Sequence, residues 1–283
     1  METITSATNP KIKNLLLLQE KSKARREQGL FVVEGQRELQ HCIEAGYKVH
    51  TVFVCTEIAG ASALDSVENY FLGRCPKNQF PTSSVFHHPT HEAPIIEVSE
   101  QVYHKIAYRE GTEGIIAEVE AKHVGLEDLV LPENPLIVVL EAVEKPGNLG
   151  AVLRSADAAK ADAVIVCDPL TDLYNPNLIR ASIGAIFTVP TVAASSEDTI
   201  KFLKARGIKI LTAQLQDSSL YYDVDMKCGT AIVMGTESTG LTDMWRRAAD
   251  AHIRIPMLGQ LDSLNVSVSA SILLFEAVRQ RMA

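Results

Sequence analysis

From residue 136 onward, six short apolar runs alternate with stretches of helical pattern, and this alternation restricts the fold more than any other feature of the chain. The runs are LIVVLEAV (136–143), AVIVCD (163–168), FTVP (187–190), KILTA (209–213), AIVMG (231–235) and HIRIP (252–256). Helices are predicted at LGAVLRSADAAK (149–160), NPNLIRASIGA (175–185), EDTIKFLKARG (197–207), LTDMWRRAAD (241–250) and NVSVSASILLFEAVRQR (265–281). Strand following helix in this way is a doubly wound α/β layout. Such sheets collect ligands at the C-terminal ends of their strands. The loops that follow strands are therefore the places to look for chemistry.

Residues 1–120 read as a smaller α/β domain. Asn9 is placed to N-cap a helix that opens at Pro10 and stops at Gly29. Strands are predicted at LFVVEG (30–35), KVHTVFVC (48–55) and GIIAEVE (114–120). Helices are predicted at QRELQHCIEAG (36–46), ASALDSVENYFLG (61–73) and SEQVYHKIAY (99–108), the last capped by Ser99. Residues 121–134 lose periodicity and gain prolines, which marks a linker. The second domain then covers 135–283.

Composition excludes several classes. With 46% hydrophobic but only 6% aromatic residues, the 283-residue chain has the profile of a globular α/β protein. No apolar run approaches the ~18 residues of a membrane span. The N-terminus METITSATNPKIKN lacks an apolar signal core, so a cytoplasmic location is expected. Cys42, Cys55, Cys75, Cys167 and Cys228 form no CxxC pair, and neither zinc nor a disulfide framework is expected. In HHPTHE, Pro89 prevents a regular helix from aligning His87 and His91 with Glu92, which points to a solvated loop rather than a metal site. The net charge of −8 speaks against a protein that coats nucleic acid. Its distribution is uneven, however. Residues 11–37 hold seven cations against Glu20, Glu27 and Glu34, a local +4 on an otherwise acidic body. That fits RNA contact at one defined place, and equally an ordinary solvated helix face.

Three loops carry polar residues suited to chemistry. Gly147-Asn148-Leu149-Gly150 follows the first strand of the second domain, with Arg154 one turn into the next helix. It is neither GxxxxGK[ST] nor GxGxxG. A glycine-flanked helix start favours an anion, and Arg154 offers a planar fork for phosphate. A tight turn beside a surface arginine has the same sequence. IVMGTESTGL (232–241) sets Glu237 between Gly235 and Gly240 at a strand end, where a carboxylate serves as a base or as a helix cap. IRIPMLGQLDSLNVSVS (253–269) brings Ser263 and Asn265 to the start of the last helix, as caps or as site residues.

Taken together, Asn/Arg, then Glu, then Ser/Asn, each after a strand, resembles the three signature motifs of the SpoU/TrmH-type RNA 2′-O-ribose methyltransferases of the SPOUT superfamily. The resemblance covers the whole second domain. ITSATNPKIKNL, RREQGLFVVEG and TEGIIAEVE resemble, more loosely, the N-terminal RNA-binding domain of that family. Thr112-Glu113-Gly114 stands where relatives often carry Pro-Gln-Gly, and Glu-Lys-Pro-Gly precedes Asn148 where many have Asp-Pro.

The resemblance implies a parallel sheet with a C-terminal trefoil knot, S-adenosylmethionine as cofactor, and methyl transfer to a ribose 2′-hydroxyl of RNA, ribosomal RNA ahead of transfer RNA. It also implies a homodimer through the knot region and the last helix. Asn148, Arg154, Glu237, Ser263 and Asn265 would form the catalytic set. Thr212, Ala213, Gly235, Ile255, Met257 and Leu264 would hold the cofactor. Lys11, Lys13, Lys23, Arg25, Arg26 and Arg37 would contact RNA. A non-catalytic RNA-binding or ribosome-assembly protein of the same fold is one competing reading, and it predicts loss of some of the five catalytic residues; an unrelated α/β enzyme with a phosphate loop, such as a small-molecule transferase, is another, and it leaves the basic N-terminal element and the two later motifs unexplained.

Overall fold

The computed structural model describes residues 2–60, 93–108, 113–236 and 239–283. The helix expected at 61–73, Cys75, the HHPTHE stretch and Glu237 lie outside the described residues. The chain forms two compact units, Met1–Lys122 and His123–Ala283.

The first unit is built on a five-stranded mixed sheet. Its strands are β1 (Glu2–Ile4), β2 (Leu30–Glu34), β3 (Val49–Val54), β4 (Ile95–Val98) and β5 (Ile115–Glu120), in the order β1-β4-β3-β5-β2. The short edge strand β1 and its parallel partner β4 were not predicted, because a three- or four-residue strand carries too little periodicity. Helices α1 (Pro10–Glu20), α2 (Ser22–Gln28), α3 (Gln36–Glu44), α4 (Thr56–Ala59) and α5 (Glu100–Ile106) complete it. Asn9 Oδ1 accepts from the Lys11 amide at 2.9 Å, so the predicted cap is in place.

The single helix expected from Pro10 to Gly29 is instead two. The chain turns at Lys21, whose backbone is extended (φ −111°, ψ 110°). Arg25 explains the break. Its Nη1 donates to the carbonyls of Leu18 (2.6 Å) and Gln19 (3.1 Å), acceptors left open by the end of α1. Arg25 is only 4% exposed, which corrects its assignment to the RNA surface: its guanidinium caps α1 inside the unit. The leucine block resolves through the same geometry. Ile12, Leu15 and Leu18 are buried one turn apart, while Leu17 faces solvent.

In the second unit all seven strands are parallel. They are β6 (Leu136–Glu141), β7 (Ala163–Cys167), β8 (Thr191–Ala194), β9 (Lys209–Ala213), β10 (Ser219–Leu220), β11 (Thr230–Met234) and β12 (Ala251–Arg254). Their order is β10-β12-β9-β11-β6-β7-β8. The chain leaves β6 towards β7 and β8, then returns to the other side for β9, β11 and β12. The β6/β11 boundary is thus the point where strand order reverses. Helices α6 (Pro146–Ala158), α7 (Pro176–Ser182), α8 (Ala185–Thr188), α9 (Ser196–Ala205), α10 (Asp243–Ala248) and α11 (Val266–Met282) cover the sheet. One face packs Ile137, Val139, Ile165, Ile210 and Val233 against Phe202 and Leu203 of α9 and Trp245 of α10. Alternate residues such as Val138, Val166 and Ile232 are equally buried and point the other way, to the face where α6, α7 and α11 pack.

Two expectations differ. FTVP is not a strand: Phe187 and Thr188 close α8, and pairing with β7 begins with the Pro190 carbonyl, which accepts from Val164 N at 2.9 Å. Pro190 has no amide to donate, so the strand proper starts after it. NPNLIRASIGA is split in two, with left-handed backbone at Ile183 (φ 52°) and Gly184 (φ 80°). The segment 121–134, predicted as a linker, belongs in part to the second core, where Leu129 is buried and Leu126 and Leu131 pack against it. Among the described residues no helix is long and apolar enough to cross a membrane, and no group of three His, Cys, Asp or Glu side chains is placed to hold a metal ion.

Candidate active site

The site lies at the C-terminal ends of β6, β9, β11 and β12, on either side of the strand-order reversal. Two cavities open there. The smaller, of about 130 Å³, is lined by Val143, Glu144, Lys145 and Asn148 from the segment after β6, and by Gly235, Thr236 and Val266. The larger, of about 420 Å³, lies over β9, β11 and β12 and shares Gly235, Thr236 and Val266 with the first. The two are therefore adjoining compartments. The larger falls within the ~300–1,000 Å³ typical of small-molecule sites.

The first compartment is shaped by two helix starts. The loop predicted at 147–150 is in fact the first turn of α6, because Pro146 occupies the first helical position, where its missing amide costs nothing. The two glycines have different functions. A Cβ at Gly150 would stand 2.5 Å from Ala181 Cβ and 2.8 Å from the Ser182 amide, so Gly150 lets α6 and α7 pack closely. A Cβ at Gly147 would meet nothing within 4 Å. That open face continues to Arg154, seven residues further along the helix and so on the same side. Arg154 is exposed, and it has no hydrogen-bond or ion-pair partner among the described residues.

Asn265 caps α11. Its Oδ1 accepts from the Ser267 amide at 3.0 Å and the Ser267 hydroxyl at 2.6 Å. This fixes which end of the amide is which, so Nδ2 faces away from the helix and donates to Asn148 Oδ1 at 3.1 Å. Behind this bridge, Ser155 and Ser271 meet hydroxyl to hydroxyl at 2.7 Å, joining the same two helices. The third predicted residue in this region, Ser263, lines the larger cavity, where its hydroxyl donates to Asp262 Oδ1 at 3.3 Å.

The loop after β11 folds back on itself. Thr236 forms an isolated antiparallel bridge with Gly240, and its Oγ1 accepts from the Thr239 amide at 3.0 Å. A Cβ at Gly235 would collide with the backbone of Gly240 and Leu241, so the fold admits only glycine there. The returning chain is tied to the sheet by Glu141, which is 4% exposed at the end of β6. Its carboxylate accepts from the Thr242 amide (2.9 Å) and hydroxyl (2.7 Å), capping α10. Sequence reading passed over Glu141, although a lone acid inside an apolar run is the type of residue that is buried only when fully paired.

Of the six predicted cofactor residues, Ala213, Gly235, Ile255, Met257 and Leu264 line the larger cavity. Thr212 does not. It is fully buried, and its Oγ1 lies 2.6 Å from His252 Nδ1, joining β9 to β12 beneath the floor. Gln214 and Arg246 line the cavity without having been predicted. Gln214 Oε1 and Arg246 Nε are both buried with no hydrogen-bond partner among the described residues. In the first unit, Lys13, Arg26 and Arg37 are exposed, with no hydrogen-bond or ion-pair partner among the described residues. Lys11 pairs with Glu2 at 2.5 Å, and Lys23 with Glu27 at 3.7 Å.

Comparison with known proteins agrees with this geometry. Residues 135–275 match the model of the SpoU rRNA Methylase family, and residues 9–117 match the MRM3-like substrate binding domain. The chain is 28% identical to the 23S rRNA (guanosine(2553)-2′-O)-methyltransferase RlmP of Bacillus subtilis over 97% of this chain and 98% of that protein. It is 40% identical to the 23S rRNA (guanosine-2′-O-)-methyltransferase RlmB of Vibrio vulnificus, over 60% of this chain and 72% of the relative. A crystal structure of an RNA 2′-O ribose methyltransferase superposes with a TM-score of 0.81 at 36% identity, covering 99% of this chain and all of the other. The AdoMet-bound rRNA methyltransferase of Sinorhizobium meliloti superposes with a TM-score of 0.84 at 29% identity, over 98% and 97% of the two chains. With both units matched and the three motifs gathered at one strand-order reversal, the chain belongs to the SpoU rRNA methylase family.

Proposed function

We propose that this protein transfers a methyl group from S-adenosylmethionine to a ribose 2′-hydroxyl of ribosomal RNA. The observation that carries the proposal is the Asn265–Asn148 bridge. It fixes Asn148, which lines the compartment that adjoins the larger cavity, so an acceptor hydroxyl and a donor group have neighbouring places. The larger cavity suits the cofactor. Ile255 and Leu264 give it apolar walls, Gly235 keeps the backbone accessible, and Gln214 and Arg246 add polar side chains to its lining. When bound, S-adenosylmethionine supplies a methyl group activated by a sulfonium. The 23S rRNA activities in the names of the relatives support ribosomal RNA as the substrate.

The residues of the chain then have distinct tasks. Asn148 holds the ribose hydroxyl, and Asn265 holds Asn148. Arg154, permanently charged, receives the adjacent phosphate over the open face of Gly147. Ser263 contributes from the larger cavity, and Glu237 orders the loop or accepts the proton. Lys11, Lys13, Lys23, Arg26 and Arg37 contact RNA phosphates from the first unit. We also propose a homodimer through α11. Val268, Phe275 and Met282 recur every seven residues on one face of that helix and are 46%, 48% and 83% exposed.

The test is transfer of radiolabelled methyl from S-adenosylmethionine to ribosomal and transfer RNA taken from cells lacking this protein. Label in ribosomal RNA, resistant to alkali at one dinucleotide, is the expected result. Cofactor binding with no label in any free RNA or in precursor ribosomal particles would refute catalysis.

A further inference from the structure

Arg246 has an unmet requirement. It sits on α10 and lines the larger cavity, and its Nε is buried without a hydrogen-bond partner among the described residues. Its single ion pair among the described residues, Nη1 to Asp243 Oδ1, is at 4.0 Å, and the Asp243 side chain is 77% exposed. A solvated pair at that separation leaves the cation largely uncompensated. The Arg246 side chain is itself 39% exposed, and a guanidinium on a cavity wall whose fork no carboxylate holds closely is suited to a planar anion that takes two donors at once. Gln214 lines the same cavity, and its Oε1 is likewise buried with no hydrogen-bond partner among the described residues.

On the reading of this cavity as the S-adenosylmethionine site, we propose that Arg246 receives the α-carboxylate of the methionine end of the cofactor. That carboxylate is the only anion the molecule carries. Arg246 would thus select ligands with an intact amino-acid end over those that have only the nucleoside. The rival cation is Arg254, which lines the same cavity, but its Nη1 already donates to Ser218 Oγ at 3.4 Å.

Calorimetric titration of the full chain with S-adenosylhomocysteine and with 5′-methylthioadenosine tests this. The second ligand keeps the nucleoside and thioether and lacks the amino-acid end. Arg246→Met should weaken S-adenosylhomocysteine about tenfold to a hundredfold, the usual loss for a charged hydrogen-bond partner, and leave 5′-methylthioadenosine unchanged. Arg246→Lys, which keeps the charge without the fork, should fall between, and Arg254→Gln should preserve the discrimination. Equal weakening of both ligands by Arg246→Met, no weakening of either, or loss of discrimination in Arg254→Gln would overturn the assignment. A native chain that binds 5′-methylthioadenosine but not S-adenosylhomocysteine would overturn it too. A native chain that binds neither S-adenosylmethionine nor these two would overturn the cofactor reading, and the assignment with it.

Discussion

Asn265 Nδ2 donates to Asn148 Oδ1 across 3.1 Å, joining two residues 117 positions apart. The same Asn265 caps α11 through its Oδ1, so one side chain serves stability and the site at once. The two functions separate by substitution. Asn265→Ser retains a good N-cap and loses the amide that holds Asn148. Its melting temperature should stay close to that of the unaltered protein, while methyl transfer falls about a hundredfold through loss of positioning. Asn265→Ala should lose the same activity and, in addition, about 1 kcal/mol of stability. If Asn265→Ser kept full activity, the bridge would be structural only.

Arg154 contributes nothing visible to the fold, being exposed and without a partner among the described residues. Arg154→Ala should therefore change stability by less than about 0.5 kcal/mol. If it holds the substrate phosphate, methyl transfer should drop about 10²–10³-fold while the dissociation constant for the cofactor stays nearly the same. Equilibrium binding and single-turnover rates on the same variant make the comparison. A collapse of cofactor binding would place Arg154 in the other compartment.

The sequence was most legible where one residue acts through local geometry. Asn9, Ser99 and Asn265 were recognisable as caps, whereas the helix opened by Pro146 was read as starting only at Leu149. The three loops were legible as a set because each follows a strand. Long-range partners were not. Nothing near Arg25 in sequence says that its guanidinium will turn back onto the end of α1, so its charge alone suggested a surface. Thr212 was expected at the cavity from the family resemblance, yet its side chain points to His252 beneath the floor. Arg246 and Gln214 were invisible for the same reason: an orphaned group is defined by what surrounds it in space.

Gly150 tests the packing that carries Asn148. A Cβ at this position would meet Ala181 Cβ at 2.5 Å and the Ala181 carbonyl carbon at 2.8 Å, and backbone cannot step aside as a flexible side-chain end does. Gly150→Ala must push α6 away from α7, despite the better helix propensity of alanine. The expected cost is about 1–3 kcal/mol, typical of overpacking. Urea denaturation should show a lower midpoint at unchanged slope. Gly147→Ala is the control: with open space around its Cβ, it should be neutral or stabilising in the same assay. Equal behaviour of the two variants would contradict this division of the glycines.

Glu276 gives the fold an acid-sensitive tie. Its carboxylate accepts from Arg279 Nε and Nη2, both at 2.8 Å, and from Gln280 Nε2 at 2.8 Å. Gln280 in turn accepts from the Met226 amide at 2.8 Å, so the network links α11 to the segment that leads into β11. The Arg279 hydrogen bonds hold the Glu276 carboxyl below its ordinary range, against the opposing effect of desolvation. A depressed acid stabilises the folded state in its ionised form. That contribution is complete above the unfolded value of about 4.3 and is lost as pH falls through the lower folded value. Glu276→Gln removes the charge at every pH. The variant should melt below the unaltered protein at pH 7, and the gap should close as the pH is lowered from about 5 towards 3. A gap that persists undiminished at pH 3 would mean that packing, not ionisation, gives Glu276 its contribution.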